Sequence, residues 1–258
     1  MRITLVQDKI YWADKAANIA AIELHLSKLQ GKTDLVVLPE LFSTGFCTEQ
    51  PELAETMEGA TVQWLKKCAS TFQVAITGSF MATENGKTYN RSFFVFPDEK
   101  IEIADKRHLF SVGGEHSHFS AGSKKLLVNY KGFNIQVLVC YDLRFPVWAR
   151  NVDNAYDLLI FVANFPEKRI RNWDILLQAR AIENQSYVCG LNCVGIDGAG
   201  ISYNGHSTLL DFLATPLLSC PENETSVQTY ELSTEPLHRF RTKSPFWKDA
   251  DKFNYLVQ

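Results

Sequence analysis

NIQVLVCYDLRFP, residues 134–146, is an apolar run that stops at a cysteine and passes at once into polar, turn-favouring sequence. The run from Phe133 to Val139 predicts a strand, and Asp142, Arg144 and Pro146 predict the turn that ends it. Cys140 is thereby set at a strand's C-terminal edge, where open α/β sheets bind their ligands. Just upstream, Leu126–Tyr130 pairs with this strand around Lys131-Gly132.

The same grammar recurs in DLVVLPELF, residues 34–42. Leu35 to Leu38 reads as a strand buried on both faces, Pro39 ends it, and Glu40 follows. Before it come a strand over Arg2–Gln7 and a helix on which Ile19, Ile22, Leu26 and Leu29 recur at helical spacing. Asp14 is placed to cap that helix and Gly31 to end it. A second helix is expected over Thr61–Ser70. Strands follow over Val74–Phe80, Asn90–Phe96 and Ile101–Ala104, with Asn85-Gly86 as a hairpin turn. Downstream the pattern predicts strand Leu158–Ala163, a helix from about Trp173 to Asn184, and strands Tyr187–Cys193, Ser207–Phe212 and Val227–Leu232. Continuous apolar strands beside one-faced helices imply an α/β fold of two packed sheets covered outside by helices.

Composition narrows the class. The chain has 258 residues, 46% of them hydrophobic, with no linker-like stretch, so a single domain over 1–258 is expected, its aromatic tail 236–258 docking on the surface or at a dimer interface. A formal net charge of -3 offers no attraction to nucleic acid or an anionic membrane, and the expected partner is a small molecule. No stretch approaches the roughly 18 apolar residues of a membrane helix, and the start, MRITLVQ, lacks the pattern of a secretory signal. Six scattered cysteines without a CxxC pair suit reduced thiols in a cytoplasm.

Three residues that follow strands complement one another chemically. Cys140 is a nucleophile, Glu40 in its apolar surround is a base, and Lys106 in IADKRHLF is a cation for a developing oxyanion. Singly each has an ordinary reading, as a buried space-filling thiol, a carboxylate at a helix N-terminus and a solvated lysine. Together they meet the needs of an amide hydrolase. Glu40 accepts the thiol proton and returns it to departing ammonia, while Lys106 and the Tyr141 N–H hold the oxyanion. A cation beside the sulfur is expected to favour the thiolate. Glu115, in GGEHSHFSAG, is a fourth candidate that would orient the Lys106 ammonium, on a loop that Gly113 and Gly114 allow to approach a ligand.

With these residues assembled, the chain resembles the nitrilase, or carbon–nitrogen hydrolase, superfamily over nearly its whole length. LPELF carries the family's glutamate at Glu40, DKRHLF its lysine at Lys106, and VCYDLRFP its cysteine at Cys140, while ARAIENQ (179–185) also matches. KRHLF, CYDLRFP, VANFP (162–166) and FWKDADKF (246–253) are similar to the omega-amidase branch. The resemblance implies a four-layer αββα sandwich of the nitrilase type and pairing into a homodimer or higher homo-oligomer. It implies no metal or organic cofactor, and hydrolysis of 2-oxoglutaramate or 2-oxosuccinamate to the 2-oxo acid and ammonia. Glu115, seven residues before Gly122, falls at the family's auxiliary glutamate.

Other readings stay open on the residues. Arg144, Arg169 and Arg171 are candidates for holding a substrate carboxylate, although Arg144 is equally a possible structural partner of Asp142. His108, His116, His118 and His206 supply a papain-like Cys–His alternative, and His116 and His118 with His108 a weak metal site. The same triad also serves nitriles and N-carbamoyl amino acids. A catalytically silent binding module on this scaffold is the alternative from another class.

Overall fold

A computed structural model describes residues 1–253. The chain opens with β1 (Arg2–Gln7), α1 (Lys15–Leu29), β2 (Leu35–Val37), α2 (Ala60–Phe72), β3 (Ala75–Glu84), β4 (Lys87–Val95) and β5 (Ile101–Asp105). A second half follows with β6 (Leu126–Tyr130), β7 (Phe133–Val139), the short α3 (Pro146–Ala149), β8 (Leu158–Ala163), α4 (Ile170–Asn184) and β9 (Tyr187–Asn192). The remaining elements are β10 (Val194–Ile196), β11 (Ser202–Asn204), β12 (Thr208–Leu210), β13 (Pro216–Ser219), β14 (Ser226–Glu231) and α5 (Glu235–Lys243).

Strands assemble into one six-stranded sheet, β14-β1-β2-β3-β4-β5, and another, β13-β12-β9-β8-β7-β6, with β10–β11 as a separate ribbon. Period-two alternation gives the first sheet two apolar faces. Ile3, Leu5, Leu35, Val37 and Phe94 join one buried cluster with Val128, Ile135 and Val137 of the second sheet. Val6, Val36, Ile76 and Phe93 face the other way, onto Ile22 and Leu26 of α1 and Val62 and Leu65 of α2. Between the sheets, the Phe94 ring meets Tyr130 edge-on at 5.6 Å, and the Tyr130 hydroxyl donates to the Asp34 carbonyl at 3.1 Å. On the outer face of the second sheet Trp173, Leu177 and Ala181 of α4 are fully buried. Gly190 of β9 lies beneath this helix, and any Cβ there would collide with Leu177 and Trp173. Helix, sheet, sheet, helix is the expected four-layer αββα order.

Strand direction sets where the chemistry collects. β1, β2 and β3 are mutually parallel, as are β7, β8 and β9. β4 runs antiparallel to β3 and β5 antiparallel to β4, so β5 points the same way as β2. Residues just past β2, β5, β7 and β8 therefore gather at C-terminal strand edges, and these residues include Glu40, Lys106, Cys140 and Asn164.

Most expected boundaries agree with the structure within a few residues, and Asp14 caps α1, its carboxylate accepting the Ala17 N–H at 2.9 Å. The ribbon β10–β11 and the edge strand β13 were not foreseen. Three-residue strands flanking IDGAGI carry no apolar period, and β13 begins with Pro216, which only an edge tolerates. In the stretch expected to dock as a tail, Leu237 of α5 is buried and Arg241 pairs with Asp157 at 2.9 Å, whereas Phe246 is exposed; residues 254–258 of that expectation lie outside the described residues.

Phe94 is fully buried between the sheets, so Phe94→Ala is expected to lower unfolding stability by about 3–5 kcal/mol. Urea denaturation reads this as a drop in midpoint at unchanged m; a loss below about 1 kcal/mol would place the inter-sheet contact elsewhere.

Candidate active site

Two strained turns carry the candidate residues Glu40 and Cys140. Leu41 and Cys140 both have φ of +46°, a left-handed conformation costing a side-chain-bearing residue on the order of 1–3 kcal/mol. Neighbouring hydrogen bonds hold each turn. The Leu41 N–H donates to Ser79 Oγ at 2.9 Å and the Phe42 N–H to the Ser79 carbonyl at 3.1 Å. At the other turn Asp142 folds back so that its Oδ2 accepts the Val139 N–H at 3.2 Å, and Arg180 Nη2 donates to the Leu143 carbonyl at 2.6 Å. Lys106 is fixed through its backbone, its N–H donating to Asn90 O and its carbonyl accepting the Gly122 N–H, both at 2.9 Å. Gly122 is required there because a Cβ would collide with the Asp105 carbonyl.

Glu40, Lys106 and Glu115 meet in one cluster whose three side chains are wholly buried. Lys106 Nζ donates to Glu40 Oε1 at 2.8 Å and reaches Glu115 Oε1 and Oε2 at 3.0 and 2.9 Å. Asn90 Nδ2 bridges the carboxylates, donating to Glu40 Oε1 at 2.8 Å and Glu115 Oε1 at 3.1 Å. The Phe110 N–H donates to Glu115 Oε2 at 2.6 Å. Glu40 Oε2 accepts the Asn164 N–H at 2.9 Å, and Asn164 Nδ2 donates to the Glu40 carbonyl at 3.0 Å. The Cys140 thiol lies 4.0 Å from the Asn164 carbonyl.

Charge balance decides the resting protonation of the thiol. Burial pulls the Lys106 ammonium down, but Glu115 and then Glu40 outweigh it and hold its pKa above the ordinary lysine range. For Cys140, burial pushes the thiol well up and the Glu40 charge adds to this, while Lys106 opposes both without prevailing. Lys106 thus draws the sulfur toward the thiolate as expected, but burial first and the Glu40 charge second outweigh it. The balance favours the protonated thiol at Cys140.

Cys140 opens onto a cavity of about 240 Å³ whose walls include Trp12, Phe46, Tyr141, Arg144, Arg169 and Tyr203. Arg144 and Arg169 both face it, and Arg169 lies 4.8 Å over the Phe110 ring. Arg171 is exposed outside it. Asp142 pairs with His108, Nδ1 to Oδ1 at 2.8 Å, rather than with Arg144. Among the described residues no histidine lines the cavity. His116 and His118 are exposed, and His206 is engaged by Asp174 and Glu222 at 3.2 and 3.0 Å. Among the described residues no group of three or more His, Cys, Asp or Glu is disposed to hold a metal ion.

Sequence reasoning missed Asn164, Asn90 and Cys193. Asn164 was detectable, since it follows the buried strand Leu158–Ala163 as Glu40 and Cys140 follow theirs. Asn90 carried no signal, being one polar residue among several on β4. Cys193 donates to Asn164 Oδ1 at 3.1 Å, a contact between distant segments.

Two sheets sandwiched between helices, with a thiol, a carboxylate and an ammonium at their C-terminal edge, define a hydrolase of carbon–nitrogen bonds. The chain belongs to the carbon–nitrogen hydrolase family, whose model matches residues 2–242. It is 40% identical to the omega-amidase YafV of Escherichia coli K12 over 98% of both chains. With the 2-oxoglutaramate amidase of Bacillus subtilis it shares 32% identity, again over 98% of each. Among solved structures, a CN-hydrolase superfamily protein of Xanthomonas campestris with an arsenic adduct in its active site superimposes with a TM-score of 0.96 at 40% identity. The match covers 99% of this chain and 98% of that one.

Glu40→Gln removes a charge that holds the thiol up, so the pH midpoint of Cys140 alkylation by iodoacetamide is expected to fall. Ammonia release should drop about 10²- to 10⁴-fold in the same variant, as a general base is lost. An unchanged or higher alkylation midpoint would contradict the charge balance described above.

Proposed function

We propose that this chain is an omega-amidase that hydrolyses the terminal amide of 2-oxoglutaramate or 2-oxosuccinamate, giving the 2-oxo acid and ammonia. The observation carrying this reading is a small cavity with the Cys140 thiol on its floor and two arginines, Arg144 and Arg169, on its wall. At about 240 Å³ it suits a ligand smaller than the drug-sized molecules that fill roughly 300–1,000 Å³. A short substrate with an amide at one end and a carboxylate at the other matches that polarity. Full-length similarity to enzymes named omega-amidase and 2-oxoglutaramate amidase supports the same choice.

In the mechanism, Cys140 Sγ attacks the amide carbon as Glu40 takes the thiol proton. Lys106 Nζ and the Tyr141 N–H hold the oxyanion, and Glu115 keeps the ammonium aimed. Collapse of this intermediate breaks the C–N bond, and Glu40 passes its proton to the departing nitrogen, so ammonia leaves and a thioester remains. Glu40 then deprotonates the water that attacks the thioester carbonyl. A second tetrahedral intermediate expels the sulfur, which recovers its proton from Glu40. The sum is amide plus water giving carboxylic acid plus ammonia.

A second copy of this chain is the macromolecular partner we propose. Ile175 and Ile182 share one face of α4 and are 52% and 58% exposed, which supports pairing there. Six free, buried cysteines support a reducing compartment, which we read as the cytoplasm.

In a panel of omega-amides, nitriles and N-carbamoyl amino acids assayed for ammonia, the 2-oxo acid amides are expected to give the highest kcat/KM, and Cys140→Ala to abolish release. Arg144→Leu should raise KM about 30-fold, close to 2 kcal/mol of charged contact, with kcat little changed. Preference for a nitrile or carbamoyl substrate would overturn the assignment. Sedimentation of the native chain is expected to show a dimer that Ile182→Asp weakens; a native monomer would refute the pairing.

A further inference from the structure

The two oxyanion donors belong to different sheets. Lys106 follows β5 of the first, whereas Tyr141 follows β7 of the second. No strand pairing joins those two strands, so the ladders leave the distance from the ammonium to the Tyr141 N–H undetermined. One carboxylate spans that gap.

Asp142 is 1% exposed and lies two residues past Cys140. Its Oδ1 accepts from the His108 backbone N–H at 3.1 Å and from His108 Nδ1 at 2.8 Å, two residues past Lys106. Its Oδ2 accepts the Val139 N–H at 3.2 Å, immediately before the nucleophile. The His108 ring has little freedom to turn. It stacks on Phe145 with centroids 3.7 Å apart and planes 8° from parallel, and Trp148 meets it edge-on at 6.1 Å. Phe145 is on the same turn as Asp142, its N–H donating to the Asp142 carbonyl at 3.0 Å. The lysine segment is thus clamped to the nucleophile turn by a hydrogen-bonded ring with an aromatic floor, and the clamp also braces the left-handed Cys140 backbone.

We propose that the His108–Asp142 pair is a positioning device that sets the separation between the Lys106 ammonium and the Tyr141 N–H, and so acts on the tetrahedral intermediate rather than on substrate binding. His108 is a positioning residue, since it lies outside the substrate cavity and holds the segment that carries Lys106. Misplacing a reacting group by 1 Å costs on the order of 10²-fold in rate, so a modest slackening of this clamp registers in kcat. The inference rests on the oxyanion roles given under the proposed function.

Three replacements separate the possibilities. Asparagine can place its Nδ2 where His108 Nδ1 now sits, glutamine reaches instead toward the Nε2 position, and leucine offers no donor. His108→Leu and His108→Gln are expected to lower kcat on the order of 10- to 100-fold with KM within about twofold, and His108→Asn to recover to within about threefold of native. Two inhibitors provide an independent readout. 5-Oxopentanoate, an aldehyde that forms a tetrahedral adduct on Cys140, should weaken in His108→Leu by the same factor as kcat. 2-Oxoglutarate, which resembles the ground state, should bind unchanged.

Native kcat in His108→Leu, a loss confined to KM, equal weakening of both inhibitors, or asparagine no better than glutamine would each overturn the proposal. Should His108→Leu fail to fold, the asparagine and glutamine enzymes decide it. If none of the three folds, the pair holds the fold rather than the site and the proposal fails. The comparison is run on whichever amide the native enzyme turns over, so a failed 2-oxo acid assignment appears as native inactivity toward those amides and leaves the His108 result readable.

Discussion

A single ammonium held wholly out of water is the constraint around which this molecule is built. An unpaired charge so placed costs several kcal/mol after relaxation, and breaking a buried pair typically costs ~3–5 kcal/mol. Lys106 escapes that penalty because Glu40 and Glu115 meet it within 3.0 Å, and each carboxylate is in turn pinned by Asn90 and by a backbone N–H, from Asn164 or Phe110. The partners are held by strand ends, by turns or, for Asn90, within β4, so the cluster cannot relax without disturbing both sheets. Stability and preorganisation here have one origin.

The same cluster governs the reactivity of the sulfur. With two carboxylates against one ammonium, a thiolate at rest would add a second uncompensated negative charge in a water-poor site. Burial first and the Glu40 charge second hold the thiol protonated, and Glu40 is left with one Oε2 lone pair for it once Asn164 has taken its share. In the proposed mechanism, proton transfer to Glu40 therefore accompanies carbon–sulfur bond formation. A single carboxylate serves every proton movement of that proposed cycle, and among the described residues no histidine lines the cavity.

Much of the site was legible because its chemistry follows a simple grammar, a polar residue placed directly after an apolar strand. Glu40, Lys106 and Cys140 obey it, and Glu115 stood out through the glycines of its loop and its place before Gly122. Asn164 obeys the rule equally but was passed over, since an asparagine suggests no reaction step by itself; its importance lies in what it holds. Asn90 and Cys193 gave no signal, because each matters only through partners remote in sequence, 50 residues away for Asn90 and Glu40 and 29 for Cys193 and Asn164. Of the two readings of Arg144, carboxylate holder or partner of Asp142, its place on the cavity wall favours the first, and His108, read as a possible base or metal ligand, took the Asp142 carboxylate.

Local sequence determined most element types, the two-sheet sandwich and the identity of the candidate reacting groups. Apolar period, caps and strand-ending prolines act over a few residues, and nucleophile, base and cation are properties of side chains. Tertiary structure alone decided the protonation of the thiol, the saturation of Lys106 by two carboxylates, and which of several histidines and arginines faces the cavity. Those depend on distances between strand ends of different sheets, and electrostatic energy in a low-dielectric interior varies too steeply with separation and burial to be set by residue order.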